Sequence, residues 1–357
     1  MFTSILAQAA IRDVPGQYAT VTAAVNAAVN GDTIRVASGT HYGSFTTSKH
    51  LIIEGQGPEV TILHANWASY YAKVIHSYVS YPVGYYDPGS LTIKNCTITG
   101  AAGSALSVSD SILILENCVI RNNGGSAYYC GGGAIYGSHS PNVEIKNCII
   151  RNNTHPAMAG AIYCSYEDRF SISICQDGFK MFNTLVYDNS TSDYGPHIIY
   201  IKQSDNAARP SNGGKVSHCT ITQNTDTSWI DPILTVDGSN PWLFTVMNSQ
   251  IVGNIPEPQI GYMTLQYCLV ESSYYGGTNI VSSSPGYRNA GLHDFRLLPD
   301  SICINAGILD GDNDDDFDGF SRTALSPGSS NIGPYETCDY TVQVGGVDRT
   351  LRGCLVP

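Results

Sequence analysis

The tetrapeptide Asn-Cys-x-[Ile/Val] recurs along this chain, each time after a short β-rich run. It reads Asn95-Cys96-Thr97-Ile98, Asn117-Cys118-Val119-Ile120 and Asn147-Cys148-Ile149-Ile150. Looser copies stand at Asn183-Thr184-Leu185-Val186, His218-Cys219-Thr220-Ile221, Asn248-Ser249-Gln250-Ile251 and Tyr267-Cys268-Leu269-Val270, with starts 19 to 36 residues apart. A unit of that size cannot bury its apolar side alone, so the period means stacked copies, a solenoid. Each unit opens with a strand such as Leu91-Thr92-Ile93-Lys94, Ile112-Leu113-Ile114-Leu115 or Val143-Glu144-Ile145-Lys146. The Asn-Cys step, a second short strand and a Gly/Asn-rich turn follow. No helices lie between copies, which excludes a doubly wound sheet and a leucine-rich horseshoe. The expected fold is all-β, a right-handed parallel β-helix of roughly nine or ten coils stacked about 4.8 Å apart.

The turns fit this reading. Asn tolerates the left-handed conformation, and its amide can bond to the Asn one coil away, as in Arg121-Asn122-Asn123-Gly124 and Arg151-Asn152-Asn153. Of eleven cysteines, Cys96, Cys118, Cys148, Cys219 and Cys268 share one repeat position and read as a column of buried thiols acting as small hydrophobes. Cys338 with Cys354, and more weakly Cys164 with Cys175, are the disulfide candidates. No Cys/His spacing suits zinc.

Residues 18–30 carry apolar positions at helical spacing and should cap the first coil, because an open solenoid end exposes core and unpaired backbone. Thr33-Ile34-Arg35-Val36, Leu51-Ile52-Ile53-Glu54-Gly55 and Val60-Thr61-Ile62-Leu63 read as strands, and Gly39-Thr40-His41-Tyr42 as a turn. Residues 1–9, with Ala7-Gln8-Ala9, look like the remnant of a secretion signal. The β-helix then spans 10–337, including a closing module at 292–337, and 338–357 form a tail. Secretion, or display at the cell surface, is the expected location.

Only 13% of residues are charged and the net charge is −12. That balance disfavours nucleic acid and anionic membranes as partners. No apolar run is long enough to span a bilayer.

The repeat, joined to Asp32-Thr33-Ile34-Arg35-Val36-x-x-Gly39-Thr40-x-Tyr42, resembles the pectin-lyase-like β-helix proteins of bacteria. Phe295-Arg296-Leu297, Ser301-Ile302-Cys303-Ile304-Asn305-Ala306-Gly307, Asp316-Phe317-Asp318-Gly319-x-x-Arg322 and Asn331-Ile332-Gly333-Pro334-Tyr335-Glu336 then resemble the closing module of secreted "choice-of-anchor Q" proteins. That resemblance gives Asp318 and Arg322 structural roles, as a salt bridge. The superfold hosts lyases, hydrolases, esterases, adhesins and structural proteins, so it does not name a reaction. The catalytic motifs of polygalacturonases, pectin methylesterases and the commonest pectate lyases are absent.

A uronate lyase needs a cation to neutralise the substrate carboxylate and a base to take the C5 proton. Glu167, Asp168 and Asp177 could hold Ca²⁺, with Lys180 or Arg169 as base. Asp314, Asp316 and Asp318 follow a calcium-loop pattern without the bidentate Glu of an EF-hand. Arg121 and Arg151 should stack one coil apart, near Lys94 and Lys146, as a short cationic ladder for an acidic glycan. Tyr70, Tyr71, Tyr85, Tyr86, Tyr128 and Tyr129 could stack on sugar faces. Two readings follow. One is a protein that binds or processes extracellular polysaccharide, as a possible uronate lyase. The other is a non-enzymatic surface adhesin or self-assembling structural protein.

Overall fold

The structure, a computed structural model, describes residues 9–68, 72–75, 77–78, 86–124, 132–139, 141–156, 158–166, 178–191, 197–203, 213–226, 233–237, 244–254, 263–271, 278–311, 315–322, 329–336, 339–344 and 347–352. Three long parallel sheets wind around one core. The first stacks ten strands, from Ile11–Val14 and Thr33–Val36 through Ser90–Lys94, Ile112–Glu116 and Asn142–Lys146 to Thr264–Gln266. The second also has ten, from Gly39–Tyr42 and Thr61–His64 through Val119–Arg121 and Ile149–Arg151 to Ile280–Val281. Seven strands make the third, including Leu106–Ser109, Ile135–Ser138, Ala159–Tyr166, His197–Gln203 and Leu234–Asp237.

Side chains alternate across each strand, and this decides what is core. Leu91 and Ile93 stack on Leu113 and Leu115, then on Val143 and Ile145, all buried, while Thr92, Ile114 and Glu144 face outward. Burying each such aliphatic side chain is worth about 1.5–3 kcal/mol, so every coil adds to one continuous core.

Two corners explain the Asn repeat. Between the first and second sheets, Asn95, Asn117, Asn147, Asn183, His218, Asn248 and Tyr267 all have φ between 45° and 55°. Their amides link coils: Asn117 Nδ2 donates to Asn95 Oδ1 at 2.7 Å and Asn183 Nδ2 to Asn147 Oδ1 at 3.1 Å. The next residue points inward, and there Cys96, Cys118, Cys148, Cys219 and Cys268 are buried, free thiols. Burial pushes the Cys219 and Cys268 thiols up to about 12, which keeps them neutral. After the second sheet, Asn122, Asn152, Asp188 and Gln223 are left-handed. Beside them Asn123, Asn153, Asn189, Asn224 and Asn254 form an internal amide ladder, each Nδ2 donating to the next Oδ1 at 3.0 Å.

Three expectations are corrected. Gly39–Tyr42 is a strand rather than a turn, paired in register with Thr61–His64. Its extended Thr-His-Tyr run supplies the opening strand of the second sheet. Cys164 is a free thiol, because its side chain points into the core beneath the third sheet; its proposed partner Cys175 lies outside the described residues, as do Cys338 and Cys354. Asp318 bonds to Arg296, and Arg322 to Glu336, so the two expected partners do not meet.

The first end is covered by a helix, and the closing module clasps the outer face of the second sheet. The helix is Val21–Ala27, with Thr20 as N-cap, and buries Val21, Ala24 and Val25. At the other end, Tyr287–Asn289 pairs antiparallel with Asp294–Leu297. The chain then returns along the outside of the second sheet. Leu297, Cys303 and Ile332 pack on Val252 and Leu269, and Phe295 and Tyr335 on Leu185 and Tyr187. A buried polar clamp holds it: Arg322, fully buried, donates to Glu336, to Asn183 Oδ1 at 2.8 Å and to the Pro334 carbonyl.

Candidate functional site

A β-helix has a filled interior, so ligand chemistry must sit on an outer face or in the loops. The three faces differ. On the first, one column reads Asp13, Arg35, Glu54, Lys94, Glu116, Lys146, each in register with the next. Signs alternate throughout, with ion pairs of 2.7 Å at Arg35–Asp13 and 2.6 Å at Lys94–Glu116. This column neutralises itself. Lys94 and Lys146 belong to it and not to a cationic ladder.

The third face carries an aromatic column. Tyr136, Tyr163 and Tyr200 occupy one register position on successive coils, with ring centroids 5.7 and 5.5 Å apart. Packing and hydrogen bonds fix them. Tyr200 stacks on His197 at 4.4 Å and donates its hydroxyl to Asp237 Oδ2 at 2.9 Å. Thr235 Oγ1 lies 3.1 Å from His197 Nδ1. Beside this column runs a polar one, Ser109 with Ser138, then Ser165, Lys202 and Asp237. Rigid aromatic planes beside hydroxyl, ammonium and carboxylate groups suit a ligand with apolar C–H faces and polar edges.

The expected site residues distribute as follows. Glu167, Asp168, Arg169 and Asp177 lie outside the described residues, in the segment that joins strand Ala159–Tyr166 of the third sheet to Phe179–Phe182 of the first. Tyr128 and Tyr129 lie outside them too, ahead of strand Ile135–Ser138, as do Tyr70, Tyr71 and Tyr85. Tyr86 starts the short strand Tyr86–Asp87. Lys180 is on the first face, in register between Glu144 and Lys215. Arg121 and Arg151 are adjacent on the second face, as the repeat implied.

In the acidic turn, Asp316 is buried and accepts from the Phe320 and Glu336 backbone amides, both at 2.8 Å. Asp318 accepts from Arg296 Nε at 3.1 Å. Asp314 lies outside the described residues. Among the described residues no three His, Cys, Asp or Glu side chains cluster as a metal site, and no helix is long and apolar enough to cross a membrane.

The sequence aligns the Ala-Ile-Tyr starts of two successive strands, Tyr136 with Tyr163, as the structure has them, but the column of rings that continues through Tyr200 was missed. Ala134-Ile135-Tyr136, Ala161-Ile162-Tyr163 and Ile199-Tyr200 repeat one inward–outward pair.

A solenoid of three parallel sheets wound around one core defines a β-helix protein. Residues 73–290, more than half of the chain, match the family described as the right handed beta helix region, and the protein belongs to that family. No curated protein matches the chain.

Proposed function

We propose that this is a secreted carbohydrate-binding β-helix protein that holds an extracellular polysaccharide along the third face. The observation that carries the reading is the tyrosine column Tyr136–Tyr163–Tyr200, pre-set at one-coil intervals. The rings meet tilted or edge-on, with Tyr163 buried between its neighbours. The more exposed Tyr136 and Tyr200 gain apolar contact with sugar faces at little entropic cost, because their rotamers are already fixed. The segments at 125–131, 167–177 and 204–212 flank strands of this sheet in sequence and contain Tyr, Glu, Asp and Arg residues. Uronate-lyase chemistry, with Arg169 as base and Ca²⁺ on Glu167, Asp168 and Asp177, is the catalytic form of the same reading; Lys180, the other expected base, stands on the first face and so drops out of it.

The test is affinity electrophoresis on pectate, alginate, chondroitin and neutral glycans, with ultraviolet absorbance followed for new unsaturated ends. Retention lost in Tyr200→Ala with the fold intact supports the reading. Absorbance lost in Arg169→Ala or with chelator would add the lyase step. Retention on no glycan overturns it.

A second reading, a self-associating adhesin or structural protein, is favoured by apolar side chains exposed near the closing end: Val281, Leu292, Leu298 and Ile302. Sedimentation of the wild type against Leu292→Asp checks it.

A further inference from the structure

The second face is divided. From Leu185 onward the closing module covers it, and Tyr187 is sealed by His293, stacked at 4.7 Å, and by Phe295. Ahead of that boundary one outward column stays open. It runs Tyr42, His64, Thr99, Arg121 and Arg151, ending against Tyr187. Thr99 and Arg121 are the next residues in the register that pairs Ile98 with Ile120.

Three features mark this column and the Trp67 turn beside it. First, Arg121 and Arg151 are in-register neighbours, and like charges directly opposite each other destabilise a sheet. Arg151 bonds to the neutral Asn152 Oδ1 at 3.1 Å, and Arg121's guanidinium has no hydrogen bond or ion pair among the described residues. On a chain with net charge −12, two arginines are held side by side, and among the described residues no carboxylate pairs with either. Second, Trp67 is 71% exposed and Tyr42 59% exposed, at the far end of the same column. Third, Trp67 has φ of 63°, the left-handed region that costs a bulky residue about 1–2 kcal/mol. Strain of that kind persists where the surroundings hold it, and it clusters at ligand clamps.

The surroundings do hold it. Trp67 N donates to the Gly100 carbonyl at 2.8 Å, and Asn66 N donates to His64 Nδ1 at 2.9 Å. The His64 ring lies 5.1 Å from Tyr42 and 6.4 Å from Trp67. A Cβ on residue 100 would come within 2.2 Å of that ring, so Gly100, at φ of 75°, is what admits it. With Nδ1 accepting, the neutral ring carries its proton on Nε2.

We infer that the open half of the second face is a separate binding site for an acidic polysaccharide, with Tyr42 and Trp67 stacking on sugar rings and Arg121 and Arg151 pairing with carboxylates of successive residues. One coil is about 4.8 Å, close to the advance of one pyranose unit in an extended chain. Guanidinium binds carboxylate through two parallel N–H···O bonds, which gives direction as well as charge. The closing module sets the end of the site at Tyr187. This site does not depend on the third-face reading, and its ligand is narrower, a polymer with a carboxylate on each sugar.

Titration calorimetry with oligogalacturonate, and with its methyl ester as the uncharged match, tests it. Arg121→Gln and Arg151→Gln should each weaken the acid form by on the order of tenfold and leave the ester unchanged. Trp67→Ala should weaken both forms. Affinity for the acid form should fall as salt rises. Tyr200→Ala, on the other face, should leave oligogalacturonate binding at this site intact, so failure of one site is not failure of the other. Unchanged melting temperatures establish that the variants fold. Wild-type binding that survives both arginine substitutions, or binding of the ester equal to that of the acid, overturns the proposal. So does the absence of oligogalacturonate binding.

Discussion

Two charged columns, one on the first sheet and one on the second, solve the same problem in opposite ways, while the first sheet's other like pair, Lys180 beside Lys215, is answered by Asp310 at 3.1 Å from Lys215. On the first, every charge in the column from Asp13 to Lys146 meets its opposite one coil away. On the second, Arg121 meets Arg151. In a parallel solenoid a residue's neighbours above and below are the same repeat position of adjacent coils. Charge on a face is therefore set by how that one position varies along the sequence. Alternation leaves a column neutral, whereas repetition leaves a field to be answered by a carboxylate from elsewhere in the chain, as Asp310 answers Lys215, or by a ligand or solvent ions.

Several substitutions would break or sharpen that contrast. The largest effect belongs to the covered half of the second face. Arg322→Met removes the guanidinium from Glu336 and leaves a carboxyl buried without its partner. The expected loss is about 3–5 kcal/mol in urea unfolding. Hydrogen exchange at Leu185–Tyr187 should rise with it, since the module that covers those residues is released. Next comes the corner that both arginines share. Asn189→Ala takes the acceptor from the Asn153 backbone N–H and removes the side-chain donor to the Ile150 and Tyr187 carbonyls, while Asn224 Oδ1 keeps only the residue-189 backbone N–H. A cost of about 1–3 kcal/mol should appear in the same assay.

Acid separates the interior from either face. Burial pushes the His155 imidazole down to about 4. A histidine with a depressed folded pKa is charged first in the unfolded chain. The stability tied to neutral His155 is thus present above about pH 6.5 and lost as pH falls toward 4, on the order of 2–3 kcal/mol. Glu336, raised by burial to about 7, acts in the opposite sense, favouring the fold as it protonates. Comparing His155→Gln with wild type at pH 7 and pH 4.5 isolates the histidine, and the variant should lose less on acidification. The smallest effect carries the sharpest sign. Lys94→Glu places like charges in a row on the first face and should cost about 0.5 kcal/mol. Arg121→Glu creates an alternation on the second face and should stabilise by a similar amount. Equal signs in the two thermal shifts would remove the basis of the contrast.

The fold was legible because the repeat is written where the chain has least freedom. A left-handed corner accepts Asn, an inward position beside it accepts Cys, and both recur from Asn95 to Cys268. Outward positions are under no such constraint. Tyr136, Tyr163 and Tyr200 sit there, so the alignment of Tyr200 with the other two emerges only when the lengths of the intervening loops are known. Arg121 and Arg151 were found because their coils carry the strictest copies of the repeat. Strand Gly39–Tyr42 was missed because its partner lies a coil away and its own Gly-Thr start reads as a turn. The Arg322–Glu336 and Arg296–Asp318 pairs join segments that spacing does not align, and sequence order alone suggested Asp318 with Arg322.

The most direct measurement is covalent footprinting by mass spectrometry, with and without a saturating mixture of oligogalacturonate and neutral oligosaccharide. The account predicts protection of Tyr136 and Tyr200 on the third face and of Tyr42, Trp67, Arg121 and Arg151 on the second, with Arg35, Lys94 and Lys146 labelled as before. Protection centred on the first face's alternating column, or spread evenly over all three faces, would contradict it.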